Sequence, residues 1–295
     1  MIKFICLPSG GLNVLKYLGI LQSFVDNKII DFEKVEGYYG ISAGSVLSSI
    51  LCLGLPYESI VKYFIERTWH KILNLNNIQF MNYFTDKGIL NKEHLIPMIE
   101  PLFKSKGYNL RTITMKEFYD STNKKLSTFA INACSFEIKE FNYETTPDIL
   151  LIDALYLSSC IPSIFKPYEY NGVCYLDGGM CLNSPLDICL NNENINKDEV
   201  FALESDETHT ISRNIKANDN YFAYILKIID KLHINGVCLV KNKDCKYFMR
   251  YKVIDYGNLD LNELIMSVDM RRNIYLESLN ETNLHIDNIK TKDID

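Results

Sequence analysis

Apolar residues along this chain fall into two patterns, short unbroken runs and longer stretches with helical spacing. The first run, Ile2–Leu7, reads as a buried strand that ends in Pro8-Ser9-Gly10-Gly11, a tight glycine turn. Leu15, Leu18, Ile20, Leu21, Phe24 and Val25 then recur at the period of a helix, predicted over about 14–27. A second run, Val35–Gly40, predicts another strand. The helix after it runs from about 43 to 53 and is stopped by Gly54. Strand, helix, strand, helix with short links is the pattern of a parallel sheet covered on both faces.

Further along, Pro56 opens a helix with Ile60, Val61, Phe64 and Ile65 on one face and Trp69 near its end. Another helix is predicted after Asn91. A strand at 126–134 has a hairpin partner near 136–143, and Asp153–Ser159 reads as a helix terminated by Pro162. Val173–Leu176 is a strand running into Asp177-Gly178-Gly179, and Val200–Leu203 predicts a further strand. Two amphipathic helices are expected near 219–233 and 261–279, and the polar tail after Leu284 is expected to be loose. No repeat, linker or composition break divides the sequence. It is read as one domain, 1–295, with motifs in about 3–205 and a helical C-terminal part over about 206–295.

Composition narrows the function classes. With 295 residues, 47% hydrophobic and 23% charged, the chain can bury a full core, and wholesale disorder is excluded. A net charge of −6 leaves no basic stripe to neutralise phosphates, which argues against a nucleic-acid partner. The nine cysteines are odd in number and never spaced Cys-x-x-Cys, so neither a disulfide framework nor a zinc site is indicated. The start is too short in apolar length for a signal peptide, and no segment reaches the about 18 apolar residues that span a bilayer. The expectation is a cytoplasmic protein.

Chemistry concentrates at Gly40-Ile41-Ser42-Ala43-Gly44. Gly-x-Ser-x-Gly between a strand and a helix is what a strained nucleophile turn requires, with glycines that let strands and helix pack closely around the serine. The helix after it aims unpaired N–H groups and its positive dipole end at the serine. A serine hydroxyl is a poor nucleophile until a base takes its proton. None of His70, His94, His209, His233 and His285 lies at a strand tip beside a glycine turn. Asp177 does, and small neighbours let it approach another strand end closely, as a direct Ser–Asp pair requires; a plain Asp-Gly turn is the bland alternative. Ser9-Gly10-Gly11 exposes consecutive backbone N–H groups able to receive the negative oxygen of acyl transfer, with Ala43 N–H as a further donor.

The order glycine turn, Gly-x-Ser-x-Gly, Asp-Gly-Gly resembles the patatin-like phospholipase family. The resemblance extends to Ser158-Ser159-Cys160-Ile161-Pro162-Ser163-Ile164-Phe165-Lys166-Pro167, to Asn183-Ser184-Pro185 and to the Thr114–Tyr119 segment, and covers about residues 3 to 205. It implies a three-layer α/β/α sandwich with a mainly parallel central sheet. It also implies a serine–aspartate dyad without histidine: Ser42 attacking an acyl ester, Asp177 as general base, and Gly10, Gly11 and Ala43 at the oxyanion. Gly40 and Gly44 would shape the nucleophile elbow, and Gly178 and Gly179 the turn after the aspartate. No metal or cofactor is required. The expected partner is a phospholipid or other acyl-ester lipid at a membrane or micelle surface, with peripheral attachment there; oligomeric state is left open.

One departure stands out. Aligned on Gly19, the first loop has Ser9 where the family shows a glycine, Asn13 at its basic position and Val14 at its last glycine. Backbone amides can still serve the oxyanion, but the loop path is expected to differ and the missing cation to alter headgroup preference. Three other readings follow: a catalytically silent lipid- or protein-binding module of the same fold, a lipid transacylase, and a triad using His209. Candidate acyl-channel residues are Ile78, Phe80, Met81, Tyr83 and Phe84; Tyr221, Phe222, Tyr224, Ile225, Ile228, Ile229 and Leu232 form a broad apolar helix face.

Overall fold

A computed structural model describes residues 1–72, 83–206, 215, 224, 227–228, 241–242, 244–254, 264–265 and 267–292. Most of the expected helix near 219–233 and the channel candidates Ile78, Phe80 and Met81 lie outside the described residues, as do His209 and His233.

The glycine turn and the elbow are set by a parallel core of strands. β1 (Phe4–Leu7) pairs parallel with β2 (Gly37–Ile41), in the register Leu7 opposite Gly40. β2 pairs parallel with β3 (Lys125–Asn132). On its other side β1 pairs parallel with β7 (Val200–Asp206), and β7 with β8 (Tyr247–Lys252). Two strands run against this direction, β4 (Ile138–Phe141) and β6 (Val173–Asp177), both antiparallel to β3; β5 (Glu169–Tyr170), antiparallel to β6, returns to it.

Helices cover both faces. α1 (Val14–Asp26) connects β1 to β2. It is followed by α2 (Ala43–Cys52), α3 (Tyr57–Glu66), α4 (Lys92–Ser105), α5 (Met115–Thr122), α6 (Leu151–Ser158), α7 (Leu186–Glu193) and α8 (Val268–Lys292). Alternation along β1 sorts the two faces: Ile5 and Leu7 join the large core with α1, α2, α3, α4 and α6, while Phe4 and Cys6 join a smaller one under α7. Because both faces are covered, the central strands read as unbroken apolar runs. The fold is the expected α/β/α sandwich.

The expected boundaries mostly hold to within two residues, and the differences have local causes. Trp69 opens its own helical turn, Trp69–Ile72, instead of ending α3. α6 ends at Ser158, four residues before Pro162. The C-terminal part is not wholly helical: β8 alternates buried Met249 and Tyr251 with exposed Arg250 and Lys252, a period-two signal. The polar tail is not loose, since α8 continues to Lys292 with Thr282 and Ile286 buried beneath it.

α8 and α1 lie close because Gly19 has no side chain. A Cβ there would stand 2.1 Å from Ser278 Oγ and 2.3 Å from the Tyr275 carbonyl oxygen. Gly19→Ala is therefore expected to lower folding stability by about 1–3 kcal/mol through overpacking, read as a lower urea midpoint at unchanged m-value.

Candidate active site

Ser42 occupies the single residue between β2 and α2. Its backbone sits at φ 52° and ψ −123°, a left-handed conformation that a side-chain-bearing residue adopts only under constraint. Two glycines make that turn sterically feasible. A Cβ on Gly40 would lie 2.5 Å from Ser45 Cα, and one on Gly44 would lie 2.4 Å from the Pro8 carbonyl oxygen. The elbow is thus wedged against its own helix on one side and against the end of β1 on the other. The Ser42 carbonyl accepts from Ser45 N (2.9 Å), Val46 N (3.1 Å) and Ser45 Oγ (2.6 Å). Helix N-terminal amides have no partner within the helix; Ser45 and Val46 turn back onto Ser42, and Ala43 and Gly44 are left facing the elbow. Their amides and the dipole of a ten-residue helix favour negative charge there.

Asp177 approaches from the opposite direction. β4 takes Thr128–Ile131 along one edge of β3, while β2 takes Lys125–Phe129 and β6 takes Ala130–Asn132. A strand has two edges, and both β2 and β6 overlap β4 in register. They must therefore share the edge opposite β4, one after the other. Ile41 faces Phe129 and Asp177 faces the next residue, Ala130, so the two strands run toward each other and end head to head. Ser42 and Asp177 stand at the abutting ends, 4% and 3% exposed.

Glycines again permit the approach. A Cβ on Gly178 would lie 2.4 Å from the Phe129 carbonyl oxygen and 3.0 Å from Ile41 Cγ2. One on Gly179 would lie 2.2 Å from Ser9 Oγ and 3.0 Å from Asp177 Oδ1. Gly179 N donates to Asp177 Oδ1 at 2.7 Å, which fixes one carboxylate oxygen, and Asp177 N donates to the Cys160 carbonyl at 3.0 Å. The first loop, the elbow and the Asp-Gly-Gly turn therefore lie against one another.

In the first loop Gly11 takes a left-handed φ of 52°, the conformation for which glycine is suited. Asn13, standing where a basic residue was expected, is 2% exposed and works on the backbone. Its Nδ2 donates to the Gly10 carbonyl at 2.8 Å, its own N–H donates to the same oxygen at 2.9 Å, and its Oδ1 accepts from Ile254 N at 2.8 Å. Tyr17 adds a second anchor: its hydroxyl donates to the Ser9 carbonyl at 2.9 Å and shares a 2.8 Å hydrogen bond with Tyr251 of β8. Val14 begins α1 in ordinary right-handed geometry. Sequence reasoning missed this clamp because its far ends, Tyr251 and Ile254, lie 234 and 241 residues along the chain from Tyr17 and Asn13.

Other reactive groups are engaged elsewhere. His94 Nδ1 closes the cap of α4 with Asn91 at 2.6 Å. Burial pushes the thiols of Cys52 and Cys160 well above the usual range, with the Asp177 charge adding to the effect at Cys160, so both stay neutral. Among the described residues no three His, Cys, Asp or Glu side chains are grouped as metal ligands, and no helix is long and apolar enough to cross a membrane.

Comparison with known proteins bears on this geometry. A family model described as patatin-like phospholipase matches residues 5–190. A protein of Invertebrate iridescent virus 6 named probable lipid hydrolase 463L is 31% identical over 220 residues, 72% of this chain and 73% of the viral one. VipD from Legionella pneumophila superposes with a TM-score of 0.55 at 17% identity, over 97% of this chain and 67% of that one. ExoU, a type III effector of Pseudomonas aeruginosa, gives 0.50 at 12% identity, over 98% of this chain and 53% of ExoU. At such identities these two structures speak for the fold alone, and this chain spans about half the length of ExoU.

The Asn13 clamp generates a measurable outcome. Asn13→Ala removes side-chain hydrogen bonds to Gly10 and Ile254 and should cost about 1–3 kcal/mol of stability. Asn13→Arg, which restores the family's basic residue, should destabilise at least as much, because a guanidinium does not fit a buried amide site. Urea melts of the two variants check this; a stabilised Asn13→Arg would contradict the structural role.

Proposed function

The chain belongs to the patatin-like phospholipase family, and from that membership we propose a lipid acyl hydrolase with Ser42 as nucleophile and Asp177 as general base. The observation that carries the reading is the head-to-head meeting of β2 and β6 on one edge of β3, with a strained serine and a buried aspartate at the abutting ends.

In the first half-reaction Ser42 Oγ bonds to the ester carbonyl carbon while its proton passes to the Asp177 carboxylate. The carbonyl π pair moves onto oxygen, where Ala43 N–H and the amides of the Gly10-Gly11 turn receive the charge. The intermediate collapses, the C–O bond to the leaving alcohol breaks, and the alcohol takes the proton from Asp177. An acyl-enzyme remains. A water molecule then repeats the sequence, giving its proton to Asp177 and its oxygen to the acyl carbon, and Ser42 recovers its proton as the fatty acid leaves. Burial of both side chains strengthens each electrostatic term relative to water.

The substrate class is a fatty-acyl ester lipid, a phospholipid first among them, reached at a membrane or micelle surface. If an alcohol replaces water in the second half-reaction, the same constellation is a transacylase. A catalytically silent module is the reading favoured by the altered first loop, and the Asn13 and Tyr17 anchors weigh against it because they tie down the Gly10 and Ser9 carbonyls of that loop.

Purified protein should hydrolyse p-nitrophenyl butyrate and react with a fluorophosphonate probe. Ser42→Ala and Asp177→Asn should each reduce turnover by about 10³-fold or more, while His209→Gln and added chelator leave it near normal. Substantial turnover in either dyad variant would refute the assignment, and an inert Ser42 in a chain that still binds lipid would select the silent module.

A further inference from the structure

We propose that Ser158 is a positioning residue for the nucleophile, its buried hydroxyl holding the Ser42 backbone in its left-handed turn. The proposal rests on the reading of Ser42 as nucleophile and concerns a residue that neither the motif spacing nor the dyad chemistry assigns.

Ser158 ends α6 and is fully buried, at 0% exposure. Ser42 N donates to its Oγ at 2.9 Å, and the same Oγ donates to the Phe129 carbonyl at 2.7 Å. In the parallel ladder of β2 and β3, with Ile41 opposite Phe129, the next bond would run directly from the Ser42 N–H to the Phe129 carbonyl. Here a hydroxyl stands between the two. It can do so because a hydroxyl both donates and accepts. The insertion lets β2 part from β3 one residue early while leaving no buried backbone group unpaired at that point.

The consequence for Ser42 is that both of its backbone polar groups are committed. Its N–H goes to Ser158 and its carbonyl to Ser45 and Val46. With both ends of the residue held, φ and ψ are fixed by bonds on either side, and the Oγ direction follows from them. The Ser42 N–H is thereby removed from the set of oxyanion donors, which falls to Ala43 and the first loop. The same segment also sets the partner: two residues on, the Cys160 carbonyl accepts from Asp177 N at 3.0 Å. The end of α6 is a shared bracket for both members of the dyad.

The Phe129 carbonyl explains the neighbouring glycine. It accepts from Ser158 and lies 2.4 Å from where a Gly178 Cβ would be, so the aspartate turn can pass this bond only without a side chain.

The test measures kcat and KM for p-nitrophenyl butyrate, together with the rate of fluorophosphonate labelling, in Ser158→Ala, Ser158→Thr and Ser159→Ala. Ser159 is the control: it is the next residue, also buried, and its hydroxyl bonds back to the Leu155 carbonyl of its own helix at 2.9 Å. Ser158→Ala should lower kcat and the labelling rate by about 10–10²-fold with KM changed less than about twofold, since a displaced nucleophile loses reactivity more than binding. Ser158→Thr, which keeps the hydroxyl, should recover most of that loss, and Ser159→Ala should stay near wild type. Should the alanine chain not fold, Ser158→Cys fills the site with a weak hydrogen-bonding group and carries the same expectation. Wild-type kcat in a folded Ser158→Ala or Ser158→Cys chain, or an equal loss in Ser159→Ala, would overturn the proposal. A wild-type chain that neither turns over ester nor takes the probe would instead overturn the nucleophile reading on which it stands.

Discussion

One edge of β3 accommodates two strands in succession, and the candidate site exists because of that sharing. β2 leaves the edge at Phe129 and β6 arrives at Ala130 from the opposite direction. Two strand ends can abut in this way only if neither carries bulk at the junction. Gly40 and Gly44 clear the serine side, and Gly178 and Gly179 the aspartate side; a methyl group at any of the four would come within 2.7 Å of another heavy atom. The glycines that flank Ser42 and Asp177 are thus packing requirements first, and their signature in the sequence is a by-product of steric exclusion.

The left-handed backbone of Ser42 costs about 1–3 kcal/mol, an amount a folded domain with a total stability of about 5–15 kcal/mol can carry only if its surroundings insist. They do so from three directions. α2 takes the Ser42 carbonyl, the Ser158 hydroxyl takes the amide, and the end of β1 closes against Gly44. Each is a short-range contact, yet each comes from a different part of the chain. The strain is therefore a property of the assembled sandwich; a peptide with the same five residues would relax.

This explains how much could be read beforehand. β1, α1, β2 and α2 were legible because periodicity and glycine placement are local, and the elbow was legible because its glycines lie two residues from the serine. Asp177 was legible as a strand end. The shared edge of β3 was not, since two strands of opposite direction on one edge leave no mark in either sequence run. Asn13 read as a missing charge because the expectation came from its position in a motif; its side-chain oxygen is taken by Ile254 N, just after β8, in a region where the expected helices gave no warning of a strand. α8 outlasted its expected end because Thr282 and Ile286 are buried within a stretch that is polar overall, which a composition reading overlooks.

The first loop shows why side-chain motifs and backbone function can separate. Its proposed task is to present amides, and amides belong to every residue except proline. What the loop cannot dispense with is a fixed path, since a donor displaced from the oxyanion by a fraction of an ångström loses much of its effect. Here the path is fixed through carbonyls: Ser9 by the Tyr17 hydroxyl and Gly10 by Asn13, with Tyr251 and Ile254 tying both anchors to the segment after β7. A buried amide does this without the desolvation cost that a buried cation would incur. A loop without two of the family's glycines and its basic residue can therefore keep a fixed path, at the expense of depending on a strand more than two hundred residues away.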